Sequence, residues 1–244
     1  LSVVEIIGDE KKVESFLQGQ ITSDINMVSN ESFQLSSICN QKGTVMADFL
    51  IGISDKKFKI IINYELVDIF IDELTPFAKF FGVSFKETHN HVCASIESSP
   101  FSKRVFLKNS DFALSVTIKN EIKSIDKSIS KEEWSIANMI LGNFYLSKDD
   151  VGNYRPLEIN YDKHRVSFNK GCFRGQEIVA RMKYLGVDRR KFCTVISKKE
   201  IQVNKDLKML GEPLRLQDNF VCLCIIKKDF LEIFKRENPS ITII

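Results

Sequence analysis

The chain has 244 residues, of which 43% are hydrophobic and 27% are charged, so it is long enough to bury a large core without disulfides or metals. Lysines and arginines total 35 against 32 aspartates and glutamates, and the net charge of +3 is too small to identify a nucleic-acid-binding protein by bulk charge. No stretch approaches the roughly 18 uninterrupted apolar residues of a membrane span, and Leu1 opens without a basic leader, so we expect a cytosolic protein.

The first part of the chain predicts a helix followed by an antiparallel meander. Asp9 is placed to cap a short helix that ends at Gly19. The segments "FQLSSICN", "TVMADFLIGI" and "KFKIIIN" then predict three strands, separated by the turns "QKG" and "SDKK". Helical spacing of apolar residues follows from Tyr64 to Phe81, and Pro76 is expected to break or kink that helix.

A second group of strands, "HVCASIES", "KRVFLK" and "FALSVTI", is followed by the low-complexity "KNEIKSIDKSISKEE", which predicts a surface connection. Ser130 and Glu133 form a capping-box pattern ahead of a helix from about Lys131 to Leu141, which should stop at Gly142. The polar residues 143–165 predict a loop over the surface that leads into a short strand, "VSF".

After Gly186 the pattern changes to the short strands "KFCTVIS", "LKML", "PLRL" and "FVCLCII", which indicate a small separate β-domain over residues 187–244. Residues 1–186 then form an α+β core of antiparallel sheets with flanking helices. Its helix-strands-helix pattern recurs loosely, so we expect two related halves that meet near residues 82–90.

The segment "FNKGCFRGQEIVARMKYLG" places Cys172 in a glycine-containing turn just ahead of a helix that starts near Gly175. The helix dipole and the cations Lys170 and Arg174 would favour the thiolate there, which is the setting of reactive cysteines. The alternative is a residue that only fills a tight turn. The other five cysteines lie mostly in apolar stretches typical of small buried hydrophobes: Cys39, Cys93, Cys193, Cys222 and Cys224.

The three histidines give little support to catalytic or metal chemistry. Nothing in the sequence pairs His89, His91 or His164 with Cys172 as a catalytic base. The letters "HNH" resemble a metal or nuclease motif only superficially, and a solvated turn is the better interpretation. We therefore expect no metal site.

Three blocks in order resemble the YgfZ family, the folate-binding relatives of the glycine-cleavage T-protein. "KGCFRGQE" matches the family signature, and "FLQGQITSDI" and "CNQKGTVMADF" are similar to its amino-terminal blocks. The resemblance extends from Leu1 to about Ser197. It implies a T-protein-like folate-binding core, a shortened C-terminal domain that is β-barrel-like, and tetrahydrofolate or a derivative as the cofactor.

The resemblance also implies site residues. The signature positions, with Cys172 as the functional thiol, are Lys170, Gly171, Cys172, Gly175, Gln176 and Glu177. Trp134 matches a helix-start tryptophan that is associated with folate in the family, and an indole stacks well on a flat pterin. Without the resemblance, a half-buried core anchor would be the preferred interpretation of Trp134. Leu1 and Thr44 depart from the family, where tryptophan and arginine are usual.

A basic run follows the signature: Arg181, Lys183, Arg189, Arg190 and Lys191. It could receive the carboxylates of a folate tail or the backbone of a tRNA, because both present anions that arginine and lysine bind well. A solvated helix face and linker is an equally good interpretation.

The family implies an accessory protein that supports iron-sulfur enzymes, including those that thiomethylate tRNA, with iron-sulfur enzymes or assembly factors as partners. Cys172 could accept a one-carbon unit or transiently hold a cluster or a partner's sulfur, although one cysteine cannot fill a cluster's four ligand positions. An aminomethyl transferase like the T-protein and a tRNA-binding module are the alternatives.

Overall fold

The structure, a computed structural model, describes residues 1–98, 104–122, 129–186 and 189–244. The strands of these ranges form three antiparallel sheets, and helices pack against them. Within the same ranges, no helix is both long and apolar enough to cross a membrane. Residues 123–128 of the predicted surface connection, Lys103 of "KRVFLK" and the predicted domain boundary at residues 187–188 lie outside the described residues.

The first sheet contains the predicted meander. Its strand order is β2-β3-β4-β1-β5, so β2 and β5 are the edge strands. Its strands are β1 (Ser2–Ile7), β2 (Gln34–Cys39), β3 (Val45–Ser54), β4 (Lys57–Ile62) and β5 (Ser84–Thr88). One face packs against helices α1 (Glu10–Gln20) and α2 (Val67–Phe81) in the largest apolar core. The three strands predicted from residues 33–63 are confirmed.

Each of these two helices differs from the prediction at one residue, Gly19 in α1 and Pro76 in α2. Asp9 caps α1 as expected and accepts a hydrogen bond from the Lys12 backbone N–H at 3.2 Å, but the helix continues through Gly19. Pro76 lies inside α2 without ending it. Because Pro76 is exposed, water can bond the carbonyl that its missing N–H leaves without a partner, so the helix persists.

The second sheet has the order β6-β8-β7, with β6 (His91–Glu97), β7 (Val105–Lys108) and β8 (Ala113–Lys119). Helix α3 (Lys131–Ile140) packs on it through Trp134 and Ala137. The predicted capping box is confirmed, because Ser130 and Glu133 exchange side-chain hydrogen bonds with each other's backbone N–H at 3.0 and 2.7 Å.

The prediction that residues 143–165 form a surface loop is wrong. Phe144, Leu146, Ile159 and Tyr161 are buried in the main core, although short helical turns are the only regular structure there, including α4 (Tyr161–His164). These apolar residues enter the core one at a time, so they show no helical or strand period. The predicted strand "VSF" is also absent, and residues 166–168 are irregular.

The third sheet follows α5 (Gln176–Leu185), which starts and ends as predicted between Gly175 and Gly186. Its order is β10-β11-β9-β12, with β9 (Arg190–Ser197), β10 (Leu207–Leu216), β11 (Asn219–Lys227) and β12 (Thr242–Ile243). "LKML" and "PLRL" are one strand whose register shifts between Leu210 and Leu214. Helix α6 (Lys228–Glu237), which was not among the predicted elements, covers one face of this sheet through Phe234.

Candidate functional site

The signature turn before α5 is built on a close backbone approach. Gly175 has φ +82° and precedes the helix, and a Cβ at this position would overlap the carbonyl oxygen of Asn40. Gly43 likewise lies against Ile178 of α5. The structure therefore brings together two blocks that are far apart in the chain, "CNQKG" and "KGCFRGQE", at a contact that only glycine permits.

Lys170 fixes the start of the same turn to the interior. Its side chain is buried, and Nζ donates hydrogen bonds to the carbonyl oxygens of Ile21 at 2.7 Å and Ser23 at 2.9 Å. Burial lowers the pKa of Lys170 to about 8, against the opposing effect of the Asp24 carboxylate. Lys170 thus connects the turn to the third family block, "FLQGQITSDI".

Arg174 fixes the other end of the turn. Its Nε donates to the Cys39 carbonyl oxygen at 2.7 Å, one Nη donates to the Glu73 carbonyl oxygen at 3.0 Å, and the other Nη forms an ion pair with the Glu73 carboxylate. The guanidinium also lies 5.2 Å from the centroid of the Phe77 ring. Arg174 therefore ties the turn to both β2 and α2.

Cys172 lies exposed between these two anchors. The next residue, Phe173, is buried, and its backbone N–H donates to Oε1 of Gln176 at 3.2 Å. The side chain of Cys172 therefore fills no interior space, and its exposed position suits a plain turn residue as well as a reactive thiol. Lys170 and Arg174, the cations expected to favour the thiolate, direct their side-chain hydrogen bonds to oxygens of the interior.

The signature residue Glu177 is exposed and pairs with Arg181 one helical turn later at 3.1 Å. Lys183 pairs with Asp162 at 2.8 Å. Surface pairs of this kind contribute about 0–1 kcal/mol each. The first two cations of the predicted basic run are therefore engaged along α5.

Trp134 lies elsewhere, at a cleft between α3 and the third sheet. The cleft has a volume of about 160 Å³, and its lining includes Trp134, Asn138, Asn143, Tyr145, Leu210 and Gly211. The indole is partly buried, with its ring centroid 6.1 Å from that of Phe106. As far as the structure describes the chain, none of the signature residues lines this cleft, so the sequence-predicted site is divided between two places.

A buried charge pair that was not predicted from the sequence lies behind the cleft and contacts its lining residue Asn143. Arg165, 1% exposed, forms an ion pair with Asp48 at 3.1 Å and donates to Oδ1 of Asn143 at 3.0 Å. The same guanidinium donates to the carbonyl oxygens of Ser36 and Phe49. Burial raises the pKa of Asp48, and the Arg165 charge opposes that rise. An aspartate inside the otherwise apolar "TVMADFLIGI" was the available signal.

Asn143 links this pair to the cleft. Its amide donates to Oδ1 of Asn138 at 2.8 Å, and Asn138 donates to the Trp134 carbonyl oxygen at 2.8 Å. Tyr145 stacks on the Arg165 guanidinium at 5.1 Å, and burial raises the pKa of Tyr145 to about 12. A continuous series of hydrogen bonds therefore runs from Arg165 through Asn143 and Asn138 to the backbone of Trp134.

Replacing Gly175 with alanine should destabilise the protein. The αL conformation alone costs a non-glycine residue roughly 1–2 kcal/mol, and the overlap with the Asn40 carbonyl oxygen adds to this cost. Gly171→Ala is the matched control, because it lies in the same turn with no atom within 4 Å of the added Cβ and no positive φ. Urea unfolding should show a lower midpoint for Gly175→Ala only; equal midpoints would contradict the close approach.

Within the described ranges, no group of three or more histidine, cysteine, aspartate or glutamate side chains is arranged to hold a metal ion. Of the thiols predicted to be small buried hydrophobes, Cys39, Cys193, Cys222 and Cys224 are buried and Cys93 is partly buried. Cys172, which stood outside that prediction, is the exposed one of the six cysteines.

Comparison with family models gave no match. Among curated proteins, the chain is 27% identical over 217 residues to the tRNA-modifying protein YgfZ of Vibrio atlanticus, covering 80% of this chain and 67% of that protein. It is 28% identical over 228 residues to the protein of the same name from Buchnera aphidicola, covering 79% and 70%. The resemblance drawn from the three sequence blocks is confirmed.

Among solved structures, the glycine cleavage system aminomethyltransferase T from Bartonella henselae superimposes with a TM-score of 0.67 and covers 94% of this chain and 76% of that one. The sequence identity is 11%, so this likeness concerns the fold alone. It confirms the predicted α+β class, with antiparallel sheets, flanking helices and a T-protein-like architecture.

Proposed function

This chain is a relative of the tRNA-modifying YgfZ proteins, and from that premise we propose that it is a folate-binding accessory protein. It supports the assembly or repair of iron-sulfur clusters, and through them tRNA modification. The thiol of Cys172 carries this activity. The protein is not an aminomethyl transferase in this proposal, although it shares that enzyme's fold.

The observation that carries the proposal is the exposed thiol on an anchored turn. Lys170, Phe173 and Arg174 are all held by the interior, whereas Cys172 between them faces solvent. A turn that is fixed at both ends holds its central side chain in a defined position without using that side chain for stability. Such preorganisation supports a role in contact with a partner or a reacting group.

The cleft beside Trp134 supports the folate part of the proposal. Pockets that enclose drug-sized ligands measure roughly 300–1,000 Å³, and this cleft, at about 160 Å³, has room for a flat ring system only. The partly buried indole suits the pterin ring, and the rest of a folate would extend into solvent. Tetrahydrofolate, when bound, would supply a carrier for one-carbon units.

Anaerobic titration with tetrahydrofolate tests this ligand. We expect saturable quenching of the single tryptophan, Trp134, with a matching calorimetric binding heat. Trp134→Ala should weaken the calorimetric affinity roughly 5- to 100-fold, because stacking on an aromatic side chain is worth about 1–3 kcal/mol per base. The control is Tyr64→Ala, which removes an exposed aromatic side chain. This variant should bind tetrahydrofolate as the wild type does.

Either of two results would contradict the proposal. Absence of both fluorescence quenching and binding heat would show that the protein does not bind tetrahydrofolate. Turnover of an aminomethylated lipoyl carrier to methylene-tetrahydrofolate would instead make the chain an aminomethyl transferase, like the protein whose fold it shares.

A further inference from the structure

The third sheet gathers cations from two distant parts of the chain at one end. Arg190 at the start of β9 is the direct cross-strand partner of Lys227 at the end of β11. The backbone N–H of Lys228 donates to the Arg189 carbonyl oxygen at 2.9 Å and extends this pairing by one residue. We call this cluster the basic sheet end: Arg189, Arg190, Lys191, Lys227 and Lys228.

The pairing of Arg190 with Lys227 works against stability, because like charges directly opposite each other in a sheet repel. Asp206 offsets part of this repulsion through an ion pair with Lys227. Arg189, Arg190 and Lys191 are exposed. By contrast, Arg181 and Lys183 on α5 already pair with carboxylates, so the available charge of the basic run lies at the sheet end.

An exposed aromatic side chain precedes this cluster by a few residues in the chain. Tyr184, near the end of α5, is 69% exposed, and its ring centroid lies 6.1 Å from that of Phe168 in an edge-on arrangement. Tyr184 and Arg189 are five residues apart, which limits their separation to about 18 Å. The Tyr184 ring contacts Phe168 through one edge and leaves most of its surface open for stacking.

We propose that the basic sheet end and Tyr184 form a binding surface for RNA. The lysines and arginines bind successive backbone phosphates, and Tyr184 stacks on an unpaired base. A small anion would use the charge alone, whereas RNA uses both the charge and the exposed ring. This inference rests on the proposed function, because it makes the RNA whose modification the protein supports a direct partner.

Fluorescence anisotropy with labelled, unmodified tRNA, measured from 50 to 200 mM salt, tests the surface. For the triple variant Arg189→Gln, Arg190→Gln and Lys191→Gln, we expect weaker binding and a slope of log affinity against log salt that is smaller by about 2–3. The matched control removes three exposed cations of α1 and α2, Lys11→Gln, Lys12→Gln and Lys79→Gln, and should keep the wild-type slope.

Tyr184→Ala is a second, charge-neutral test. It should lower the affinity for tRNA roughly 5- to 100-fold without changing the salt slope, because the lost contact is a stacking interaction. Equal slopes for the two triple variants, or absence of tRNA binding by the wild type, would overturn the RNA surface. So would wild-type binding to anionic phospholipid vesicles that exceeds binding to tRNA.

The two proposals fail in different assays. Wild-type tetrahydrofolate binding with no tRNA binding would overturn the RNA surface and leave the accessory function in place. The opposite result has two parts: tight tRNA binding that depends on the basic sheet end, and tRNA thiomethylation that does not need Cys172. That result would overturn the accessory function through the thiol and support the RNA surface.

Discussion

Replacing Cys172 with alanine is expected to abolish rescue of iron-sulfur-dependent tRNA thiomethylation in a strain that lacks its own YgfZ protein. Because Cys172 is exposed and the turn around it is held by Lys170 and Arg174, its removal should change the free energy of unfolding by no more than about 0.5 kcal/mol. Mass spectrometry of tRNA nucleosides measures the rescue, and urea unfolding of the purified variant measures stability.

Cys93→Ala is the matched control for this experiment. Cys93 is a free, partly buried thiol in β6, outside the signature turn, so its loss should leave rescue intact. Full rescue by Cys172→Ala would show that the thiol has no part in the function. Loss of rescue by both variants would point to protein level rather than chemistry, and immunoblotting of the strains must exclude it before the comparison is made.

Replacing Arg165 with methionine should cause the largest loss of stability. Removal of one partner from a buried ion pair costs about 3–5 kcal/mol, since the other charge stays buried without compensation. Here Asp48 would lose its counter-charge, and Ser36, Phe49 and Asn143 would each lose a hydrogen bond. Arg165→Lys should give a smaller loss, because it keeps the charge but supplies fewer donors than the planar guanidinium.

Lys57→Met provides the comparison for the Arg165 series. Lys57 pairs with Glu5 at 2.6 Å, but its side chain is 54% exposed, so we expect a loss of about 0–1 kcal/mol. Urea unfolding of Arg165→Met, Arg165→Lys and Lys57→Met gives the three values side by side. A loss for Arg165→Met that is no larger than that for Lys57→Met would contradict the role of this pair as the support of the cleft.

The sequence predicted best where local signals and the fold agree. The turns around β2, β3 and β4 and the box of Ser130 and Glu133 are local features, and the structure has them as expected. Residues 143–165 were mistaken for a surface loop because no local period marks a chain whose apolar residues enter a core separately. Helix α6 was missed for another reason: its sequence is short and strongly charged, and although Phe230, Leu231 and Phe234 pack on the third sheet, Ile233 is exposed.

The candidate site shows the same limit. The signature letters identified the turn and its exposed cysteine, but the direction of the two neighbouring cations depends on carbonyl oxygens more than 100 residues away in the chain. The buried ion pair of Asp48 with Arg165 joins residues with a similar separation in the sequence, and no local motif marks it. Side-chain direction at such long-range contacts is a property of the assembled core, so a single sequence does not reveal it.

The anchoring of the signature turn has a consequence for how the protein is made. Lys170 bonds to residues 149 and 147 positions earlier, and Arg174 to residues 135 and 101 positions earlier. Contacts this distant in sequence close large loops and form slowly compared with local ones. During synthesis, the segments that receive Lys170 and Arg174 leave the ribosome long before the turn does. The thiol of Cys172 therefore reaches its native position only after these distant segments have come together, so a nascent or partly folded chain does not hold it there.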